Sequence, residues 1–161
     1  MESDITFRYE PVLEDCAAVR AIVASTGFFN PAEIGIAVEL VEERLSRGER
    51  SGYFFVFAEQ GSEVPGYACY GPIDGTEGSF DLYWIAVDYG RRGHGLGRVL
   101  MRETERLVRA AGGRRIYAET SGRSQYEPTR RFYERLGFAA ETRLRDFYAA
   151  GDDKVFYVKT L

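Results

Sequence analysis

The 161-residue sequence predicts one α/β domain, residues 1–161, built on a mixed sheet. Three features carry that expectation. Helical and strand-like periodicities interleave along the chain, no linker or internal repeat divides them, and the length is enough for one well-buried core.

Residues 5–9 alternate apolar and polar side chains and are bounded by Pro11, the pattern of a first strand at a sheet edge. Cys16, Val19, Ile22 and Val23 then recur at helical spacing up to Gly27, a suitable C-terminal stop. A second helix has a clearer start, because Asn30 can cap it, Pro31 suits its first turn and Glu33 stands three residues after the cap. Its inward stripe is Ile34, Ala37, Val38, Val41 and Leu45, and Gly48 ends it.

The period then changes. Residues 53–59 and 64–70 are rich in aromatic and β-branched side chains and are separated by Gly61-Ser62, which reads as a hairpin. After a glycine- and acid-rich loop, residues 80–87 form another strand. A glycine-rich turn follows, and Leu96, Val99, Leu100, Leu107 and Val108 mark a helix stopped by Gly112-Gly113. Residues 116–120 make a short strand and 128–136 a short helix ending at Gly137. Residues 139–147 and 155–160 give two last strands around the turn Gly151-Asp152-Asp153. The sequence thus reads as about seven strands and about four helices.

Lys plus Arg number 21 against 25 Asp plus Glu, a net charge of -4, which argues against a nucleic-acid binder or an anionic-membrane binder. Any anion site must be local. Cys16 and Cys69 lie in apolar stretches without paired spacing, which favours neither a metal site nor a disulfide and suits buried thiols in a reducing cytoplasm. The start Met1-Glu2-Ser3-Asp4 lacks the basic and apolar runs of a signal peptide, and no apolar stretch approaches the roughly 18 to 20 residues of a membrane span. The expectation is a cytoplasmic protein with no metal, nucleic-acid or membrane partner.

The stretch that carries chemistry is Val87-Asp88-Tyr89-Gly90-Arg91-Arg92-Gly93-His94-Gly95-Leu96-Gly97-Arg98, between an apolar strand and an amphipathic helix. Glycines at a helix start let the backbone approach a ligand closely, and the leading N–H groups attract phosphate oxygens. Arg91, Arg92 and Arg98 add positive charge, so a diphosphate is the natural partner. A Walker loop needs Lys-Ser or Lys-Thr after its last glycine, whereas Arg98-Val99 follows Gly97. A dinucleotide fingerprint needs a third glycine, yet Arg98 or Leu100 occupies that place, depending on where the motif starts. Glu119, 24 residues after Gly95, keeps a dinucleotide-dependent oxidoreductase as a minor alternative.

Arg92, Gly95 and Gly97 match the Arg/Gln-x-x-Gly-x-Gly/Ala pattern, and the chain thereby resembles the GNAT superfamily of acyl-CoA N-acyltransferases. The order of elements is similar over nearly the whole chain. Thr129-Arg130-Arg131-Phe132-Tyr133-Glu134-Arg135-Leu136-Gly137-Phe138 resembles the family's second signature, about 35 residues after Gly97. The resemblance implies a mixed, mostly antiparallel central sheet and acetyl-CoA as co-substrate. It also implies that the strand end Ile85, Ala86 and Val87 binds the pantetheine arm like an added strand, and that Arg92, Gly93, His94, Gly95, Leu96, Gly97 and Arg98 hold the pyrophosphate. His94, the only histidine, contributes there through its backbone. One departure is Tyr126, which stands where many members carry Asn.

The implied reaction is transfer of an acetyl group to a primary amine of a small molecule or peptide by direct attack in a ternary complex. An amine of lysine-like pKa near 10.4 must lose a proton first, at a cost of about 4.6 kcal/mol at pH 7. By the resemblance Tyr133 is the acid that protonates the leaving sulfur. Two carboxylates compete for the base: Asp81, on one strand face with Tyr83 and Ile85, and Glu119, at the end of the neighbouring strand. Phe28, Phe29, Tyr83, Tyr148 and the Asp152-Asp153 turn are the candidates to shape an acceptor pocket for a cationic amine. An alternative for Phe28 and Phe29 is a staple on the second helix. A catalytically idle acyl-CoA-binding module keeps the loop without a working acid and base, and a homodimer is compatible with the sequence.

Overall fold

The computed structural model describes residues 4–161. Met1, Glu2 and Ser3 of the acidic start lie outside the described residues. The strands are β1 (Thr6–Arg8), β2 (Phe54–Gln60), β3 (Glu63–Pro72), β4 (Ser79–Val87), β5 (Arg115–Ser121), β6 (Ala139–Ala149) and β7 (Asp152–Thr160). The α-helices are α1 (Asp15–Ser25), α2 (Pro31–Arg47), α3 (Leu96–Ala110) and α4 (Glu127–Arg135). The strands form one sheet in the order β1-β2-β3-β4-β5-β7-β6. β4 pairs with β5 in parallel, while β1–β2, β2–β3, β5–β7 and β6–β7 are antiparallel. By contact density the chain divides into two compact units.

The first unit comprises Met1–Gly71 and Trp84–Arg106. Asn30 accepts from the Glu33 N–H at 2.8 Å and Glu33 accepts from the Asn30 N–H at 3.1 Å, so α2 begins with the capping box its sequence spells. Val19, Ile22 and Val23 of α1 and Ala37, Val38 and Val41 of α2 bury against Phe55, Phe57, Tyr67 and Cys69 of the β2–β3 hairpin. Leu45, expected to complete the inward stripe, is exposed, and Arg44 is buried in its stead. The Arg44 guanidinium donates to the Tyr53 carbonyl at 3.2 Å and to Glu10 at 2.8 Å, which satisfies a charge that burial otherwise disfavours.

A second buried pair ties the edge strand to α1. Arg8 donates to both Asp15 oxygens, at 2.7 and 2.8 Å, and the Val12 N–H donates to Asp15 at 2.7 Å. Asp15 is buried and Arg8 only partly so, which discounts the usual penalty for breaking a buried pair. Asp15→Ala is expected to destabilise the protein by roughly 2 to 4 kcal/mol, lowering Tm by roughly 5 to 15 °C in a thermal melt.

The second unit comprises Pro72–Tyr83 and Leu107–Leu161. Its parallel ladder runs from Ser79–Arg115 to a last pair at Leu82–Ala118. Phe80, Leu82, Ile116, Ala118, Val155 and Tyr157 are buried on one face, together with Val108, Tyr133 and Phe138. Register puts Asp81, Tyr117, Glu119, Phe156 and Lys154 on the opposite face. The expected turn at Gly151-Asp152-Asp153 is displaced by one or two residues. Ala150-Gly151 makes the turn, with Gly151 at φ 78°, and both aspartates belong to β7.

Candidate functional site

The glycine-rich loop is braced from both sides within the first unit. The Asp88 N–H donates to the Pro65 carbonyl at 2.8 Å, and the Asp88 carboxylate accepts from the Gly90 N–H at 3.0 Å, closing a single 3-10 turn over Tyr89–Arg91. The Tyr89 N–H donates to the Ser25 hydroxyl at 3.0 Å. Arg91 donates to Gln60 and Glu63, so its charge is engaged internally. Arg92, by contrast, is exposed and lies over the Tyr89 ring at 5.0 Å and the Phe28 ring at 5.6 Å.

Gly93 and Gly95 have φ of 81° and 80°, a region costly for residues with a Cβ. The turn they make delivers the chain into α3, where buried Leu96 anchors the start. The bond from the Val99 N–H to the Gly95 carbonyl, 3.1 Å, leaves the N–H groups of Leu96, Gly97 and Arg98 ahead of the helical ladder. No acidic residue occupies that first turn. An anion is the favoured occupant of such a helix start. His94 is exposed in the loop.

Gly66 of β3 was not singled out by the sequence reading. A Cβ there would stand 3.0 Å from the Ala86 carbonyl and 3.1 Å from Leu100, so this glycine permits the close approach of β3 to the end of β4 and to α3. A glycine inside a strand pattern was the available signal. Phe29 packs edge-on to Trp84 at 4.8 Å and, with Ile34, against the core of the first unit. Phe29 precedes the Asn30 cap and Ile34 stands one turn into α2, the two positions a hydrophobic staple uses.

In the second unit an open cleft of about 500 Å³ lies over the face bearing Asp81 and Glu119, with Ser79, Tyr117, Thr142 and Phe156 among its lining. Both candidate bases therefore share one cavity. They differ in what holds them. Lys154, nearly buried, donates to Glu119 at 2.8 Å, and its ammonium lies 4.2 Å from the Phe147 ring centre and 4.8 Å from that of Phe156. Asp81 has no ion-pair partner among the described residues. Partial burial raises its pKa, the charge of Glu119 raises it further, and Lys154 opposes both.

Lys154 is the feature the sequence reading missed. Its only signal was its type, since 19 of the 21 basic residues are arginine. Tyr83 and Tyr148 are exposed and lie outside the cleft lining. Asp152 and Asp153, expected to offer free acids to an acceptor, are committed elsewhere. Asp152 accepts from Ser121 and pairs with Arg123 at 3.3 Å, and Asp153 pairs with Arg143 at 2.6 Å.

Tyr133 is buried in α4 against Phe138 at 5.4 Å and Tyr157 at 5.6 Å. Desolvation pushes its phenol pKa well above the ordinary value of 10. Tyr157 belongs to the buried face, so Tyr133 and the pair Asp81–Glu119 address opposite faces of this part of the sheet. Tyr126 ends the short 3-10 turn before α4, with the Arg123 guanidinium 5.7 Å over its ring. Among the described residues no helix is long and apolar enough to cross a membrane, and no cluster of His, Cys, Asp or Glu is placed to hold a metal ion.

A mostly antiparallel sheet of seven strands in this order, with four helices, is the GNAT fold. The model of the acetyltransferase (GNAT) family matches residues 23–138. A protein from Desulfovibrio desulfuricans assigned to the GNAT acetyltransferases is 52% identical, with a TM-score of 0.96 over 98% of this chain and 99% of that one. The chain belongs to the GNAT family of acetyltransferases.

More distant structures share the fold. The ribosomal-protein-S18-alanine N-acetyltransferase from Escherichia coli is 21% identical, with a TM-score of 0.75 over 98% of this chain and 94% of that one. An aminoglycoside 6'-N-acetyltransferase complexed with coenzyme A is 19% identical, with a TM-score of 0.76 over 98% of this chain and 96% of that one. Comparison with curated protein sequences finds no match.

Proposed function

We propose that this chain acts as one GNAT domain that moves an acetyl group from acetyl-CoA to a primary amine of a small molecule or peptide. The observation that carries the reading is the loop from Arg92 to Gly97, where two left-handed glycines deliver unladdered N–H groups and no acid at the start of α3. These amides hold the pyrophosphate, Arg92 and Arg98 add charge, and Ile85, Ala86 and Val87 offer strand backbone to the pantetheine arm. The coenzyme A complex of a structural neighbour supports this choice of ligand. Acetyl-CoA supplies the acetyl group as an activated thioester.

Asp81 is the better base of the two carboxylates, because Glu119 is already engaged by Lys154. A carboxylate whose pKa is raised accepts a proton more readily than an ordinary Asp, and Asp81 takes one from the acceptor ammonium in the cleft. Tyr133 keeps its proton at neutral pH and donates it to the leaving sulfur from the buried face. Acid and base then act from opposite faces of this part of the sheet. The cleft's carboxylates favour a cationic acceptor, with Tyr83 and Tyr148 as outlying contacts.

The direct test is a panel of amines with acetyl-CoA, read by thiol release. Turnover of at least one amine is expected, and silence across the panel with coenzyme A binding retained would assign the chain to an idle binding module. Thermal stabilisation by coenzyme A, and none by NAD, is expected from the same loop.

Gly95→Val tests the loop itself. Its Cβ would meet no protein atom within 4 Å but would stand on the face offered to the pyrophosphate, and φ of 80° costs a β-branched residue roughly 1 to 2 kcal/mol and reshapes the turn. Calorimetry is expected to show coenzyme A and dephospho-coenzyme A binding weakened at least about tenfold, a loss of about 1.4 kcal/mol. Unchanged affinity in a folded variant would remove the loop from cofactor binding.

A further inference from the structure

Asp81 and Glu119 share one cleft, yet among the described residues only Glu119 has a cation paired to it. Lys154 of β7 stands opposite Ser121 in register, and its side chain reaches back along β5 to donate to Glu119 at 2.8 Å. The same ammonium lies against the rings of Phe147 and Phe156, and the Lys154 side chain is only 12% exposed. A free surface pair would wander, but two rings and a carboxylate together fix where this charge sits.

The charge sits where it acts on both carboxylates. Asp81 pairs in register with Tyr117, and Glu119 stands two residues further along β5, so Asp81, Glu119 and Lys154 are neighbours on one face. That face also carries Glu141 of β6, in the cleft lining, and Arg115 of β5, whose charge Tyr117 and Glu141 favour. The segment before β4 adds Ile73 and Thr76 to the lining, and Tyr83 of β4 itself lies outside it. Two neighbouring carboxylates repel, and with no cation between them they titrate as a coupled pair over which a single proton is shared. Here the charge of Glu119 raises the pKa of Asp81, and Lys154 lowers it again.

We propose that Lys154 is the positioning residue of the acceptor cleft, which engages Glu119 and thereby makes Asp81 the group that takes the acceptor's proton. The step is a single proton transfer, from the acceptor ammonium to an Asp81 oxygen, and it leaves a neutral amine to attack the thioester. Lys154 contributes no proton of its own and acts through the two carboxylates. The proposal rests on the acetyl-transfer reading for the origin of that proton, while the hold of Lys154 on the pair is a property of the free chain and is measured there.

Lys154→Met removes the charge and keeps a side chain that packs against both rings, and it leaves the partly exposed Glu119 in water. In the free chain the carboxyl carbon resonance of Asp81, assigned by its loss in Asp81→Asn, is expected to titrate at least about half a pH unit higher in Lys154→Met than in the wild type, because the cation has gone and the like charge remains. The acid limb of kcat/KM is expected to move up with it, while the rate above the limb changes by less than about tenfold. Lys154→Arg keeps the charge and is expected to shift both by less than about half as much. Lys154→Met combined with Glu119→Gln removes the repulsion as well and is expected to return both to the wild-type position or below. Lys154→Gln, neutral and polar, carries the same expectation as Lys154→Met should the latter not fold in a thermal melt. A folded neutral variant in which Asp81 titrates as in the wild type would overturn the proposal, as would an Arg variant displaced as far as the neutral one, or a limb that stays in place while the titration moves. Silence of every amine beside the expected titration shift would instead remove the acetyl-transfer reading and support the hold of Lys154 on the pair.

Discussion

Asp81→Asn is expected to lower kcat/KM at pH 7 by about a hundredfold to ten-thousandfold and to abolish the acid limb of its pH profile, the usual scale for loss of a general base. The sign follows from the site. Asp81 works only when deprotonated, and burial together with the charge of Glu119 raises its pKa, so the acid limb of the wild-type rate lies at higher pH than an ordinary aspartate would give. The variant recovers partly at higher pH, where the acceptor amine loses its own proton. Glu119→Gln makes the contrast. It removes the like charge beside Asp81 and leaves Lys154 unopposed, and both changes favour the charged form of Asp81. The acid limb in that variant is expected to move to lower pH, with the rate at pH 7 changed by less than about tenfold. An acid limb that survives Asp81→Asn and disappears in Glu119→Gln would exchange the two roles, and survival in both would leave a chain of water molecules as the base.

Tyr133→Phe is expected to reduce kcat by roughly tenfold to a thousandfold while leaving coenzyme A affinity nearly unchanged. The substitution keeps the ring that packs on Phe138 and Tyr157, so Tm should shift by no more than about 2 °C. The raised pKa predicts no Tyr133-dependent limb below pH 10, because the phenol stays protonated throughout that range. Its burial also makes it a weaker acid than an exposed phenol, so the proton moves only as negative charge develops on the sulfur. Single-turnover thiol release separates this from an effect on product release. An unchanged single-turnover rate would take Tyr133 out of the chemistry, and a lowered Tm with an unchanged rate would make it a packing residue.

Much of the fold was legible because local rules agree with one another along this chain. Asn30, Pro31 and Glu33 spell the start of α2, Gly61-Ser62 places the β2–β3 turn, and the alternating, aromatic and β-branched runs place the strands to within one to three residues. Where the apolar stripe pointed to Leu45, packing chose its neighbour instead. Arg44 and Leu45 both lie near the inward side of α2, and the partners waiting at Tyr53 and Glu10 let the arginine go in. The last hairpin moved for a similar reason, since Ser121, Arg123 and Arg143 draw Asp152 and Asp153 into β7 and leave Ala150-Gly151 to turn.

By itself the sequence determined the elements, the glycine-rich loop and the choice of Asp81, Glu119 and Tyr133 as the residues to weigh, because backbone periodicity, φ preferences and motif spacing are local. The tertiary structure decided how the two carboxylates differ. Strands distant in sequence bring Lys154 against Glu119 and leave Asp81 in the same cleft with a raised pKa, and cross-strand register is a property that no local pattern encodes. It also decided that β6, which the sequence places only as a strand before the last turn, lies at the end of the sheet with every residue exposed. Burial depends on which strand lies beside which, and the sheet order assigns that only once the whole chain has folded.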